Sequence, residues 1–158
     1  MRFRISLTIV IAYAVLFVAA GIMFHSLLLL DKKHHPKSDV VTLAKQYLGV
    51  PYRYGGSTPT GFDCSGYMLF VFHQFGKELP RTADQQATIG SQVDIDNLRP
   101  GNIVFFATTE EPTISHSGLY IGDRMFIHAS STAKKVIISD LDTPYWQNTF
   151  RDARQVLP

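Results

Sequence analysis

The sequence predicts an α+β domain, a helix bearing a single cysteine packed on an antiparallel sheet, behind an apolar N-terminal segment. Three observations carry this. The apolar run Tyr67 to Phe75 follows the sole cysteine, Cys64; short β-prone segments separated by turn residues follow from Ile103 onward; and Arg2 and Arg4 precede an uncharged stretch from Ile5 to Phe24.

The N-terminal stretch continues through Ser26 to Leu30. At about 1.5 Å rise per residue, ~20 apolar residues match a ~30 Å hydrocarbon core, whereas a signal-peptide core is ~7–15 residues long. Residues 1–30 therefore read as a membrane anchor or a signal segment. Val18-Ala19-Ala20 offers a small-residue cleavage site, but cutting there would leave apolar Gly21 to Leu30 at the new N-terminus. Arg2 and Arg4 favour an inside N-terminus, opposed weakly by Lys32 and Lys33. The segment is expected to take the chain out of the cytoplasm, held in a membrane if uncleaved or released if cleaved.

Residues 31–39, with Pro36 and the charged pair Lys32 and Lys33, read as a linker, and residues 40–158 as one domain. His34 and His35 have no Cys, Asp or Glu at ligand spacing and do not suggest a metal. A net charge of +2 without a basic run gives no argument for nucleic acid. Val40, Val41, Leu43, Ala44, Tyr47 and Leu48 have helical spacing, ending at Gly49. Pro51, Gly55, Gly56 and Pro59 then mark a surface loop. Asp63 fits an N-cap for the Cys64 helix, which should end near Gly76; Gln85 and Gln86 fall in a short helix. Ile103 to Ala107, Ser117 to Ile121, Arg124 to His128 and Val136 to Ile138 are strand candidates, with Gly122-Asp123 as a hairpin turn. The tail from Pro144 to Leu157 is less decisive.

With one cysteine, no internal disulfide can form. A thiol at a helix N-terminus meets a partial positive charge that favours ionisation, but the dipole supplies only about 0.3–1 kcal/mol against about 1.4 per pKa unit. A nucleophilic Cys64 therefore needs a basic partner; a buried structural cysteine is the alternative. Among six histidines, His116 and His128 lie on the hairpin, whereas His25 and His73 have no evident partner. Strand side chains alternate, so only certain registers put both imidazoles on one face: a two-residue Gly122-Asp123 loop would set Ser117 opposite His128 and send His116 to the other face. An odd loop, Ile121-Gly122-Asp123, instead sets His116 directly opposite His128, and this is the register expected. His116 would then take the thiol proton while His128 orients its ring. Zinc held by Cys64, His116 and His128 is a competing reading.

Pro51-Tyr52-Arg53-Tyr54-Gly55-Gly56, Phe62-Asp63-Cys64-Ser65-Gly66, Leu79-Pro80-Arg81, Leu98-Arg99-Pro100-Gly101, His116-Ser117-Gly118-Leu119-Tyr120-Ile121-Gly122 and Phe126-Ile127-His128-Ala129-Ser130 resemble the NlpC-type, papain-like cell-wall peptidases, especially the small members of Gram-negative envelopes. The resemblance implies a cysteine endopeptidase hydrolysing amide bonds of peptidoglycan stem peptides or cross-links, with Cys64 as nucleophile, His116 as proton acceptor and His128 as orienting residue. It also implies an oxyanion donor at Tyr52, substrate contacts at Asp63, Ser65 and Arg81, and neither metal nor other cofactor. Asp63 and Ser65 serve equally well as helix caps. Asn102 stands where Asp is usual, and no lipid-attachment cysteine precedes Cys64. An amidase or acyltransferase on another amide or lipid substrate, or a silent wall-binding module, remain alternatives.

Overall fold

The computed structural model describes residues 16–18, 20, 21, 23 and 36–158. The chain divides into two units, residues 1–35 and 36–158. In the first, the six described residues are helical, and Leu16, Phe17, Val18 and Met23 are exposed. No helix among the described residues is long and apolar enough to cross a membrane. The expected N-terminal span falls largely on residues outside the described ones.

The second unit opens with α1 (Pro36–Lys45), four residues earlier than its apolar spacing suggested. Proline suits a first helical turn because the N–H it lacks has no intrahelical partner there. Val40, Val41 and Ala44 face inward, and Gly49 reverses the chain at φ 84°. A two-stranded ribbon, β1 (Ser57–Thr58) with β2 (Gly61–Phe62), leads into α2 (Cys64–His73).

Helix α2 is apolar almost all round, as a buried helix must be. Tyr67, Met68, Val71 and Phe72 are fully buried, each side chain contributing about 1.5–3 kcal/mol. Its C-terminus closes as a Schellman motif: Gly76, at φ 68°, donates to the His73 carbonyl and Lys77 to that of Phe72. A short helix α3 (Ala83–Gln86) and a 3₁₀ turn (Ile95–Asn97) precede most of the sheet.

The main sheet has six antiparallel strands, β3 (Ser91–Gln92), β4 (Ile103–Phe106), β5 (His116–Gly122), β6 (Met125–Ser130), β7 (Lys135–Asp140) and β8 (Phe150–Gln155), in the order β3-β8-β4-β5-β6-β7. The antiparallel sheet and Cys-bearing helix agree with the expected α+β class. Ile103, Phe105, Leu119, Ile127 and Ala129 meet α1 and α2 on one face. Val104, Phe106, Tyr120, Phe126 and Ala153 pack on the other, covered by Trp146 of α4 (Pro144–Thr149). All four β4 residues are buried, so this strand carries no polar alternation.

The hairpin corrects one expectation. Leu119 pairs with Ile127 and Tyr120 with Phe126, and the register then shifts so that Gly122 pairs with Met125. The turn residues are Asp123 and Arg124, both left-handed at φ 51° and 59°, with Ile121 as the extra residue of a bulge. Continuing the pairing from Leu119 sets His128 opposite Gly118 rather than His116. The parity of the expected odd loop holds, so both histidines share a face, displaced by two residues. Gly118 suits this offset: a Cβ there would lie 2.6 Å from Phe126 Cδ2 and 3.1 Å from His128 Cβ.

Candidate active site

Asp63 starts α2 and organises its surroundings. Its Oδ1 accepts the Gly66 N–H at 2.7 Å, a helix N-cap, while Oδ2 accepts the Gly55 N–H at 2.9 Å. Arg81 completes the shell, donating to Oδ1 at 3.1 Å and Oδ2 at 2.5 Å, and to Ser65 Oγ at 3.0 Å. The Asp63 side chain is 10% exposed and that of Arg81 41%, so the carboxylate is enclosed while the guanidinium keeps an open edge. Gln86, fully buried, donates to the carbonyls of Ser65 and Pro80 and holds the Arg81 loop against the helix. Two glycines let the preceding loop lie on α2, since a Cβ at Gly66 would run into the Gly56 carbonyl and one at Gly56 into that of Gly61.

Cys64, the first residue of α2, is partly exposed in a cleft of about 430 Å³ lined also by Tyr52, Tyr54, Asp63, Ser65 and Arg81. Its sulphur lies 3.9 Å from the Ser115 carbonyl oxygen, immediately before β5. Burial pushes the thiol above its ordinary value of 9.0, and the negative charge of Asp63 adds to this. The N–H groups of Ser117, Ser65 and Cys64 itself pull it down without cancelling the effect. The resting side chain at neutral pH is a thiol: desolvation outweighs the helix N-terminus, whose pull is too small to ionise it alone.

The thiol thus rests on the backbone at Ser115 and Ser117, the two residues that flank His116. His116 begins β5 and is half-buried; His128 lies in the middle of β6 and is buried. Their rings meet edge to face at 89°, with His116 Nε2 2.8 Å from His128 Nδ1. His128 Nε2 lies 3.0 Å from Ser139 Oγ on β7. Trp146 stacks on His116 at a centroid separation of 5.6 Å and Phe126 on His128 at 4.8 Å, so each imidazole has an aromatic face against it. Burial lowers His116 to about 4, and burial together with the charge of His116 lowers His128 further. Both rings are neutral at pH 7. Because a nitrogen of each points at the other, those two nitrogens cannot also converge on a shared zinc ion. Among the described residues no group of three or more His, Cys, Asp or Glu could hold a metal.

Tyr52 reaches the cleft from a loop pinned on both sides: its N–H donates to the Lys134 carbonyl, and it bridges to Phe62. Burial raises its hydroxyl pKa, and the nearby Cys64 and Asp63 add to the rise. The phenol stays a neutral donor. Asn102, where the resemblance expects Asp, accepts the Arg99 N–H at 2.7 Å through Oδ1 and holds the turn before β4. No local sequence signal assigns a role to Ser115, Ser139 or Trp146, and Trp146 lies in the tail whose structure the pattern leaves undecided. Ser139 sat one residue past the strand read as Val136 to Ile138, where alternation would have marked it.

A model of the NlpC/P60 family matches residues 49–155. The chain belongs to the NlpC/P60 family. It is 41% identical over 150 residues to the probable endopeptidase NlpC of Escherichia coli, covering 85% of this chain and 97% of that one. It is 44% identical over 122 residues to the murein DD-endopeptidase MepS/murein LD-carboxypeptidase of the same species, covering 77% and 63%. With the gamma-DL-glutamyl hydrolase of Bacillus subtilis it shares 47% identity over 118 residues, covering 73% of this chain but only 28% of the hydrolase. An NlpC/P60 family protein of Bacillus cereus superposes with a TM-score of 0.73 at 33% identity, covering 77% of this chain and 40% of that structure. The chain shares with that structure the papain-like NlpC/P60 arrangement of helices on an antiparallel sheet.

Proposed function

We propose that this protein is a cysteine endopeptidase that hydrolyses amide bonds of peptidoglycan stem peptides or cross-links through a thioester acyl-enzyme, with Cys64 as nucleophile, His116 as proton acceptor and His128 as orienting residue. The observation that carries the reading is the 2.8 Å contact between His116 Nε2 and His128 Nδ1 beside a thiol seated on the backbone at either side of His116. The relatives' names support the substrate class, because they specify murein or bonds to D residues.

The chemistry follows from neutral partners. With Nε2 engaged by His128, the second nitrogen of His116, Nδ1, accepts the thiol proton as Cys64 Sγ bonds to the substrate carbonyl carbon. The developing oxyanion takes hydrogen bonds from the Tyr52 hydroxyl and the Cys64 N–H, donors of a kind worth about 2.7–4 kcal/mol. Collapse breaks the C–N bond, the imidazolium returns its proton to the departing amine, and the acyl group remains as a thioester. Water, deprotonated by His116, then releases the acid. The enclosed Asp63 positions Arg81 and Ser65, and the open edge of Arg81 supplies a cation for a carboxylate of the stem peptide.

Residues 1–30 act as an envelope anchor or signal segment, and the peptidase domain, placed in the periplasm, takes in residues 36–39 of the expected linker because α1 already starts at Pro36. Support comes from the charged start, the length of the apolar stretch and the exposure of Leu16, Phe17, Val18 and Met23.

Alkylation tests the mechanism, since Cys64 is the only thiol. Modification of Cys64 by iodoacetamide is expected to stop muropeptide hydrolysis, and a chelator is expected to leave it unchanged. Hydrolysis by fully alkylated protein, or loss on chelation with return on adding zinc, would overturn this reading.

A further inference from the structure

A second cavity opens on the histidine pair, apart from the cleft at the thiol. It measures about 390 Å³ and is lined by His116, by Tyr145 and Trp146 of α4, by Thr108, and by Ser131 and Thr132 of the turn between β6 and β7. That volume is within the range of small-ligand sites. His116 does not line the thiol cleft, and Cys64 does not line this cavity. The two are nonetheless neighbours. Ser115 lines the first and Thr108 the second; the Thr108 N–H donates to Ser115 Oγ at 2.8 Å, and the two hydroxyls lie 3.0 Å apart. Ser115 and Thr108, with His116 next in sequence to Ser115, mark where the two spaces meet.

Resting on the proposed roles of Cys64 and His116, this arrangement divides the substrate. The acyl half bonds to sulphur and turns its oxygen to Tyr52 and the Cys64 N–H, so it occupies the thiol cleft. The departing nitrogen receives its proton from the His116 ring, so the amine half lies on the side of that ring. We propose that the cavity between α4 and the β6–β7 turn binds the amine half of the substrate, the part released as the thioester forms. Its lining sets the chemistry of recognition. No Asp, Glu, Lys or Arg lines it, and both imidazoles are neutral at pH 7. Ser131, Thr132 and Tyr145 are exposed, and among the described residues neither their hydroxyls nor the Trp146 indole N–H makes a hydrogen bond. The rings of Tyr145 and Trp146 meet edge to face with centroids 4.8 Å apart. Free hydroxyls beside an aromatic wall suit the amide groups and aliphatic carbons of a peptide. The acyl half thus meets the cation of Arg81, and the amine half meets neutral hydrogen bonds and aromatic rings.

Trp146 is the only tryptophan of the chain, so its indole N–H resonance reports on this cavity without any need for turnover. A purified cross-linked muropeptide dimer, titrated into full-chain Cys64→Ser, is expected to bind and to shift that resonance. The acid fragment of a wild-type digest, which fills only the thiol cleft, is expected to leave it in place. Adding Ser131→Ala and Thr132→Ala, both on an exposed turn, should weaken dimer binding about three- to tenfold, the size that loss of neutral hydrogen bonds allows. With Cys64 present, the same two substitutions should raise KM for the dimer by that factor and leave kcat unchanged. No binding of the dimer, binding seen by calorimetry without a shift at Trp146, an equal shift from the acid fragment, or undiminished affinity in the doubly substituted chain would overturn the proposal. Failure of the hydrolase reading would show separately, as intact muropeptides with the wild type whatever the dimer does at Trp146.

Discussion

His116 and His128 differ in what their loss removes. His116→Ala deletes the proton acceptor and is expected to be the most damaging, close to loss of the thiol. His128→Ala leaves the base but frees its ring and is expected to be intermediate. His128→Gln retains an acceptor for His116 Nε2 and should be the mildest. Single-turnover rates on a muropeptide rank the three; equal inactivity of all three would contradict the division of labour. The pH profile gives a second residue-scale test. Burial lowers His116 from 6.5 to about 4, so the base is already unprotonated through weakly acidic pH and becomes protonated only below about 4. The acid limb of kcat/KM is therefore expected near pH 4, with activity level from about pH 5 to 8. A limb near 6.5 would mean an imidazole far more hydrated than the one under Trp146. The thiol and both imidazoles were legible in the sequence because each sits beside local signals, an N-cap or a strand. Trp146 and Ser139 were not, because their contacts with the histidines arise only when α4 and β7 close over β6.

At the scale of elements, the cap of α2 and the hairpin carry the site. The Asp63 cap could be read from the chain because capping is a contact between residues three apart. The hairpin was half legible. Side-chain parity, a local property of strands, put both histidines on one face. Their two-residue offset depended on a bulge at Ile121 and on left-handed Asp123 and Arg124, where the visible turn signal favoured Gly122-Asp123. Gly118 is the residue that makes the offset workable. Gly118→Ala would press a methyl group onto Phe126 and the base of His128, and such overpacking costs about 1–3 kcal/mol. Urea unfolding should show that loss, and turnover should fall further than the folded fraction accounts for. Wild-type stability together with wild-type turnover would mean that the strands have room to separate there.

At the scale of the whole molecule, the sheet separates two tasks. One face packs α2, the other packs Trp146, Phe126 and Phe106 around the histidines, and the thiol at the head of α2 meets the start of β5 at Ser115 and Ser117, either side of His116. The fold class was legible because helix and strand periods occupy different parts of the sequence. The strand order was not, since β8 inserts between β3 and β4 from the far end of the chain. The N-terminal segment has its own measurement. Fractionating cells that express the full chain is expected to find it with membranes at its full mass if the segment anchors, or soluble and shortened near Gly21 if it is cleaved. A full-length product in the cytosol would contradict both. The central claim, that Cys64 cleaves peptidoglycan amides, is tested most directly by incubating purified muropeptides with the wild-type chain and with Cys64→Ser and weighing the products. The wild type is expected to yield stem-peptide fragments that together gain one water, and folded Cys64→Ser to yield none, because a neutral hydroxyl is a far weaker nucleophile than sulphur. Equal cleavage by both proteins, or intact muropeptides with the wild type, would contradict the account.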